Sequence, residues 1–243
     1  MRKLSLALAA LLCMQLSAAS VSTAAEHPVS GRFSLGYTRS SGNTDESKAN
    51  FTFDLAQQRN EHLKFGYKGL FLYSKADDVK TEDKKQFDFL SEFIKNDKFS
   101  WYANLGYMKD EFAGYDRQLK LGAGIINYFI KEPDRFFSGT VGIDYTRERY
   151  TDDTKHNETW LRLGLDGKTK LAENVYFTAD VAFLAPKDDW KDHYRTESSV
   201  GLTFTINSRL DAEVKYMYDF NKCPVDGKDK VDRTFITAIT YKI

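Results

Sequence analysis

The feature that most constrains this chain is an apolar series of period two that recurs twelve times. The series start at Phe33, Ala49, Leu63, Phe87, Phe99, Leu119, Phe137, Leu161, Val175, Tyr194, Leu210 and Phe235. The third reads Leu63, Phe65, Tyr67, Gly69, Phe71, Tyr73, and the others advance the same way. None contains Asp, Glu, Lys or Arg, although the chain carries 35 acidic and 35 basic residues. Side chains alternate across a strand, so each series is one face of a strand that is polar on the other.

A charge facing lipid near the midplane costs roughly 2–4 kcal/mol, which explains charge-free series in so charged a chain. A soluble sandwich would also keep its buried series apolar. Three observations favour lipid instead. Tyr and Phe gather near the series ends, as in an aromatic girdle, and several series reach the ~9–11 residues of a tilted spanning strand. The connections also alternate. Gln58–Glu61, Asn96–Lys98, Lys131–Asp134, Leu171–Asn174 and Asn207–Ser208 are tight turns. Arg39–Ser47, Ser74–Lys84, Met108–Arg117, Arg147–Asn157, Pro186–His193 and Asn221–Val231 are longer and polar. Short periplasmic turns alternating with longer outer loops are an outer-membrane pattern. The expected fold is all-β: a transmembrane antiparallel up-and-down β-barrel of about twelve strands. Closure follows because open sheet edges are not left in lipid.

Residues 1–25 read as a signal peptide. Arg2 and Lys3 are its positive region, Leu4 to Leu16 its apolar region, and Ser22-Thr23-Ala24-Ala25 its cleavage site. The apolar run is shorter than the ~20 residues of a spanning helix. Residues 26–243 read as a single barrel domain, with Glu26–Ser30 a short periplasmic lead-in. Cleavage removes Cys13 and leaves Cys223, so no intrachain disulfide is expected. The formal net charge is zero, which gives no field for nucleic acid. The expected location is the bacterial outer membrane. The expected partners are its lipid and lipopolysaccharide, the barrel assembly machinery during biogenesis, and a small solute or ion.

The faces opposite the apolar series carry the candidate functional residues. Asp54, Lys64, Lys68, Asp88, Glu92, Lys120, Asp144, Arg162, Asp166, Glu197, Glu213 and Lys215 are expected to face the lumen. Lys168, Arg195 and Asp211 share that parity. Two readings follow. The charges neutralise one another and fill a narrow barrel, or they segregate by sign and line a selective pore. A barrel of twelve strands has more room than eight and much less than a sixteen-stranded porin.

No cofactor is expected. Neither a clustered Cys/His spacing nor a phosphate-cradling glycine loop is present, so no metal or nucleotide site is read. Gly122 and Gly124 lie within a strand, where they mark bending or close packing. Asp77, Asp78, Glu82 and Asp83 read as a solvated loop. The competing class is an outer-membrane hydrolase, a protease or lipid A-modifying enzyme, with a site at the extracellular mouth. Its candidate dyad is His193 with Asp192, near Asp188 and Asp189, and His156 lies close to Asp152 and Asp153. No catalytic residue is assigned, and the expectation is a non-enzymatic barrel.

Three segments resemble a known family. Gly36-Tyr37-Thr38-Arg39-Ser40-Ser41-Gly42-Asn43-Thr44 is similar to the first hairpin of the YdiY-like, salt-induced outer-membrane proteins. Asp110-Glu111-Phe112-Ala113-Gly114-Tyr115-Asp116-Arg117, with Gly122-Ala123-Gly124, is similar to their central segment. Gly142-Ile143-Asp144-Tyr145-Thr146-Arg147-Glu148 also matches. The resemblance implies an outer-membrane barrel associated with salt or osmotic stress, and it says little about activity. One departure is Ile243, which stands where such barrels commonly end in an aromatic residue; Tyr241 and Ile239 alternate behind it.

Overall fold

The computed structural model describes residues 29–40, 46–186 and 189–243. The signal segment expected at 1–25 lies outside the described residues, as do 41–45 and 187–188 within two expected outer loops. The strands are β1 (Val29–Ser40), β2 (Glu46–Asn60), β3 (Leu63–Ala76), β4 (Val79–Asn96), β5 (Phe99–Asp110) and β6 (Tyr115–Lys131). They continue as β7 (Arg135–Tyr150), β8 (Lys155–Ala172), β9 (Val175–Pro186), β10 (Arg195–Thr205), β11 (Leu210–Asn221) and β12 (Val231–Lys242). Each pairs antiparallel with its sequence neighbours, and β1 pairs with β12, which closes the twelve-stranded barrel.

The pleat sorts the residues as the sequence pattern requires. On β7, Val141, Ile143 and Tyr145 are 53 %, 53 % and 45 % exposed on the outside, while Asp144, Thr146 and Glu148 are 0 %, 3 % and 1 % exposed inside. A soluble protein rarely leaves so continuous an apolar surface open to water. No helix among the described residues is long and apolar enough to cross a membrane.

The tight turns at one rim have a local cause. Asn60, Asn96 and Asn207 each turn a side-chain oxygen onto a backbone N–H two residues on, from His62, Lys98 and Arg209. Such Asx turns reverse the chain without help from the strands. The opposite rim differs from the sequence expectation. Ser74–Lys84 is not a long loop: β3 and β4 run on to a two-residue turn at Asp77 and Asp78, with φ of 49° and 62°. A two-residue hairpin needs positive φ, and Asp adopts it more readily than most residues. Ser74 and Thr81 hydroxyls meet at 2.7 Å across this extension. The next two expected loops shrink to residues 111–114 and 151–154. Above the apolar belt both strand faces are polar, so hydropathy no longer alternates although the ladder continues.

The closing seam is the shortest ladder. β1 pairs with β12 only from Arg32–Lys242 to Leu35–Ile239, whereas β1 pairs with β2 from Val29–Gln57 to Ser40–Glu46. Just past the end of the seam pairing, Asn50 on β2 reaches over Gly36 and donates to the Thr237 carbonyl at 3.4 Å.

Candidate functional site: the charged lumen

Inward positions on β5–β8 are rich in glycine, and two of these show why. A Cβ on Gly122 would collide with the side-chain oxygens of Asn104 and Asp144, and one on Gly142 with the Tyr102 hydroxyl. Gly122 thus marks close packing. With no side chain beneath them, Tyr102 and Asp144 lie flat against the wall instead of projecting into the lumen.

The flattened side chains form buried ion pairs. Arg162 Nε donates to Asp144 at 2.6 Å, and its Nη2 donates to Glu197 at 3.2 Å. Higher up, Arg195 grips both oxygens of Glu148 at 2.7 and 3.2 Å. Glu148 also accepts from Gln118 at 2.7 Å and from Tyr150 at 2.8 Å. The Arg195 guanidinium lies 4.4 Å from the Trp160 ring, whose indole N–H donates to Thr146 at 2.9 Å. Such pairs are stable only when both members keep their partners, because each charge has been taken out of water.

The opposite side is looser. Asp54, Lys68 and Asp88 are successive partners along one ladder row, and Lys120 follows beyond Gly106. Lys120 sits 3.3 Å from Asp88, but Lys68 stands 4.0 Å from Asp54 with 71 % of its side chain exposed. Glu213 accepts from Thr240 at 3.3 Å and Ser34 at 3.5 Å. Glu92 is buried and accepts from the Tyr128 hydroxyl, and Lys64 lies next to it in the β3–β4 register. Asp166 and Lys215 have no ion-pair partner among the described residues.

Two cavities occupy the lumen. One of about 410 Å³ is lined by Lys68, Asp88, Lys120, Asp166, Glu197 and Lys215 among others. A second of about 200 Å³ includes Asp54 and Glu213 and shares Lys68, Gln86, Asp88, Lys215 and Met217 with the first. The two therefore abut. Of the twelve expected lumen charges, Asp144 and Glu92 are covered by neighbouring side chains.

Contacts across the mouth were not legible in the sequence. Lys84 on β4 lies 3.7 Å from Asp110 on β5 and 3.7 Å from Asp219 on β11, on the far side of the barrel. Asn221 donates to the Tyr115 hydroxyl at 3.4 Å. The β11–β12 loop brings Val225 over Gly114, where a Cβ would stand 3.0 Å from it. Glu148, Trp160 and Tyr115 were also missed. Parity is the only sequence signal for Glu148 and Trp160, which hold even positions where odd ones face outward, whereas Tyr115 is odd and is turned inward beyond a register shift in β6.

The two members of the candidate His193–Asp192 dyad each have another partner. Asp192 pairs with Lys222 at 3.0 Å, which holds that lysine above its ordinary range. His193 packs edge-on against Trp160 at 4.9 Å and lies 6.3 Å from His156. Burial, then the charge of Arg195, pushes its imidazole below the usual histidine value. Asp188 lies outside the described residues. No group of three or more His, Cys, Asp and Glu among the described residues is placed to hold a metal ion.

A closed barrel with an apolar outer belt and a charged lumen defines a class, the outer-membrane β-barrels. Within it, residues 33–243 match the family described as a protein of unknown function, DUF481, and the chain belongs to that family. In fold it is similar to an outer-membrane channel from Pseudomonas putida F1, with a TM-score of 0.53 and 8 % identity over 92 % of this chain and 97 % of that one. It is also similar to the NanC porin, with a TM-score of 0.49 and 11 % identity over 88 % of this chain and 97 % of that one. No curated protein sequence matches it.

Proposed function

We propose that the protein is a non-enzymatic outer-membrane conduit for small polar solutes or ions. The observation that carries this reading is the pair of abutting, charge-lined cavities along the lumen. Charges at their walls replace part of an ion's hydration shell, while the paired charges elsewhere cancel and keep selectivity weak. The hydrolase reading is weaker because Asp192 is engaged by Lys222 and His193 by Trp160. A second reading is a stiff structural barrel, favoured by the Lys84–Asp219 bridge across the mouth.

On the conduit reading, residues 1–25 direct export and are removed. The barrel assembly machinery inserts residues 26–243, and the outer rim meets lipopolysaccharide. A link to salt or osmotic stress rests on the resemblance to the YdiY-like proteins and belongs to the same proposal. Its check is protein abundance after a shift in sodium chloride. Planar-bilayer recording tests the conduit itself: stepwise, salt-dependent conductance is expected. Silence over a wide voltage range, unchanged in Lys84→Ala, would favour the structural barrel.

A further inference from the structure

We propose that the waist of the lumen binds small zwitterionic solutes, the cationic end on Asp166 and Asp180 and the anionic end on Lys68 and Lys215. This deepens the conduit reading and names its solute class.

Asp166 and Asp180 are direct partners in the β8–β9 register. Like charges placed opposite each other on a sheet are destabilising. Asp219 and Asp232 also oppose each other in the β11–β12 register, but there Lys84 stands 3.7 Å from Asp219. No Lys or Arg among the described residues reaches either Asp166 or Asp180 in this way. Asp180 accepts one hydrogen bond, from the Ser199 hydroxyl at 2.5 Å. Both residues remain exposed to the lumen.

Two ammonium groups share the same space. Lys68, on β3, stands across the lumen from β9, and Lys215, on β11, lies two strands from β9 along the same wall. Lys68 keeps only its 4.0 Å contact with Asp54, and Lys215 has no ion pair among the described residues. All four side chains line the cavity of about 410 Å³. That volume falls in the roughly 300–1,000 Å³ range of small-molecule sites.

The carboxylate pair and the two ammonium groups set a field within the passage, and low-dielectric walls focus it. A monovalent ion is drawn to one pair and repelled by the other. A solute carrying an ammonium and a carboxylate on a short chain satisfies both at once. The carboxylate pair, unneutralised by the protein, then has its counter-charge supplied by the solute.

The test uses the whole refolded barrel in detergent, with heat-modifiable gel migration as the folding check on each variant. Binding of β-alanine and 6-aminohexanoate is measured by saturation-transfer NMR against ethylammonium, propionate and glycerol. Saturable binding of a zwitterion is expected, at least tenfold weaker in both D166N/D180N and K68Q/K215Q. Equal binding of ethylammonium, unaffected in K68Q/K215Q, would overturn the proposal in favour of a simple cation site. Absence of saturable zwitterion binding to the folded wild type would also overturn it. In bilayers, open channels that β-alanine affects no more than glycerol does would reject the site but not the conduit. Silent bilayers with retained zwitterion binding would reject the conduit and keep the site.

Discussion

On the wall built from β5–β8, Asp144 and Glu148 are almost fully buried under Arg162 and Arg195. On β2 and β3, Asp54 and Lys68 stand 4.0 Å apart with 45 % and 71 % of their side chains exposed. Both regions place acidic and basic residues at inward positions of neighbouring or near-neighbouring strands. The difference lies in what surrounds them. Gly122 and Gly142 leave hollows into which neighbouring side chains sink. On the other side Leu70, Leu72, Met217 and Ile236 pack into an apolar cluster against Ala238, and the nearby charges project into water. Asp144 and Glu148 have become structure, whereas Asp54 and Lys68 stay available to whatever passes.

The largest expected effect tests that division directly. Glu148→Ala should cost roughly 3–5 kcal/mol by leaving Arg195 buried without its partner. Urea unfolding of the refolded protein measures this, and an equal loss in Asp54→Ala would erase the distinction between the walls. A middle effect sharpens it. Gly142→Ala should cost about 1–3 kcal/mol, because its Cβ would collide with the Tyr102 hydroxyl. Adding Tyr102→Phe should return part of that loss in the same assay.

On the loose side the effect should appear in transport rather than stability. Lys68→Ala should change unfolding by under about 1 kcal/mol, as expected of an exposed pair. Reversal potentials under a salt gradient should instead move toward cation preference. The smallest effect concerns the rim of the packed wall. The depressed imidazole of His193 means that the unfolded chain takes up its proton first as pH falls. The stability from neutral His193 is full above its ordinary value of 6.5 and is lost as pH falls through its lower folded value. Wild type should therefore lose more thermal stability than His193→Gln between pH 7.5 and pH 5, read as the difference in melting temperature.

Strand number, closure and the sorting of faces were legible because lipid enforces them at every second residue. A single charge in a series such as Leu161, Leu163, Leu165 would have been costly, so the rule is written locally and repeatedly. The extended β3–β4 hairpin was not legible, since nothing above the membrane forces polar residues to alternate. Asp77 and Asp78 read equally well as part of a solvated loop until their positive φ values are seen.

What the sequence determined by itself was therefore which side of the wall each residue occupies, because parity along a strand is a one-dimensional property. Asp144, Asp166 and Lys215 were all assignable to the interior on those grounds. Which of them would be neutralised was decided only by the tertiary structure. Pairing depends on strand tilt, on glycine hollows in nearby strands and on contacts spanning the lumen, such as Lys84 with Asp219. Asp144 found Arg162 at 2.6 Å, while Asp166 met another carboxylate in register. Those three-dimensional neighbours separate a charge that holds the barrel together from one left to meet a solute.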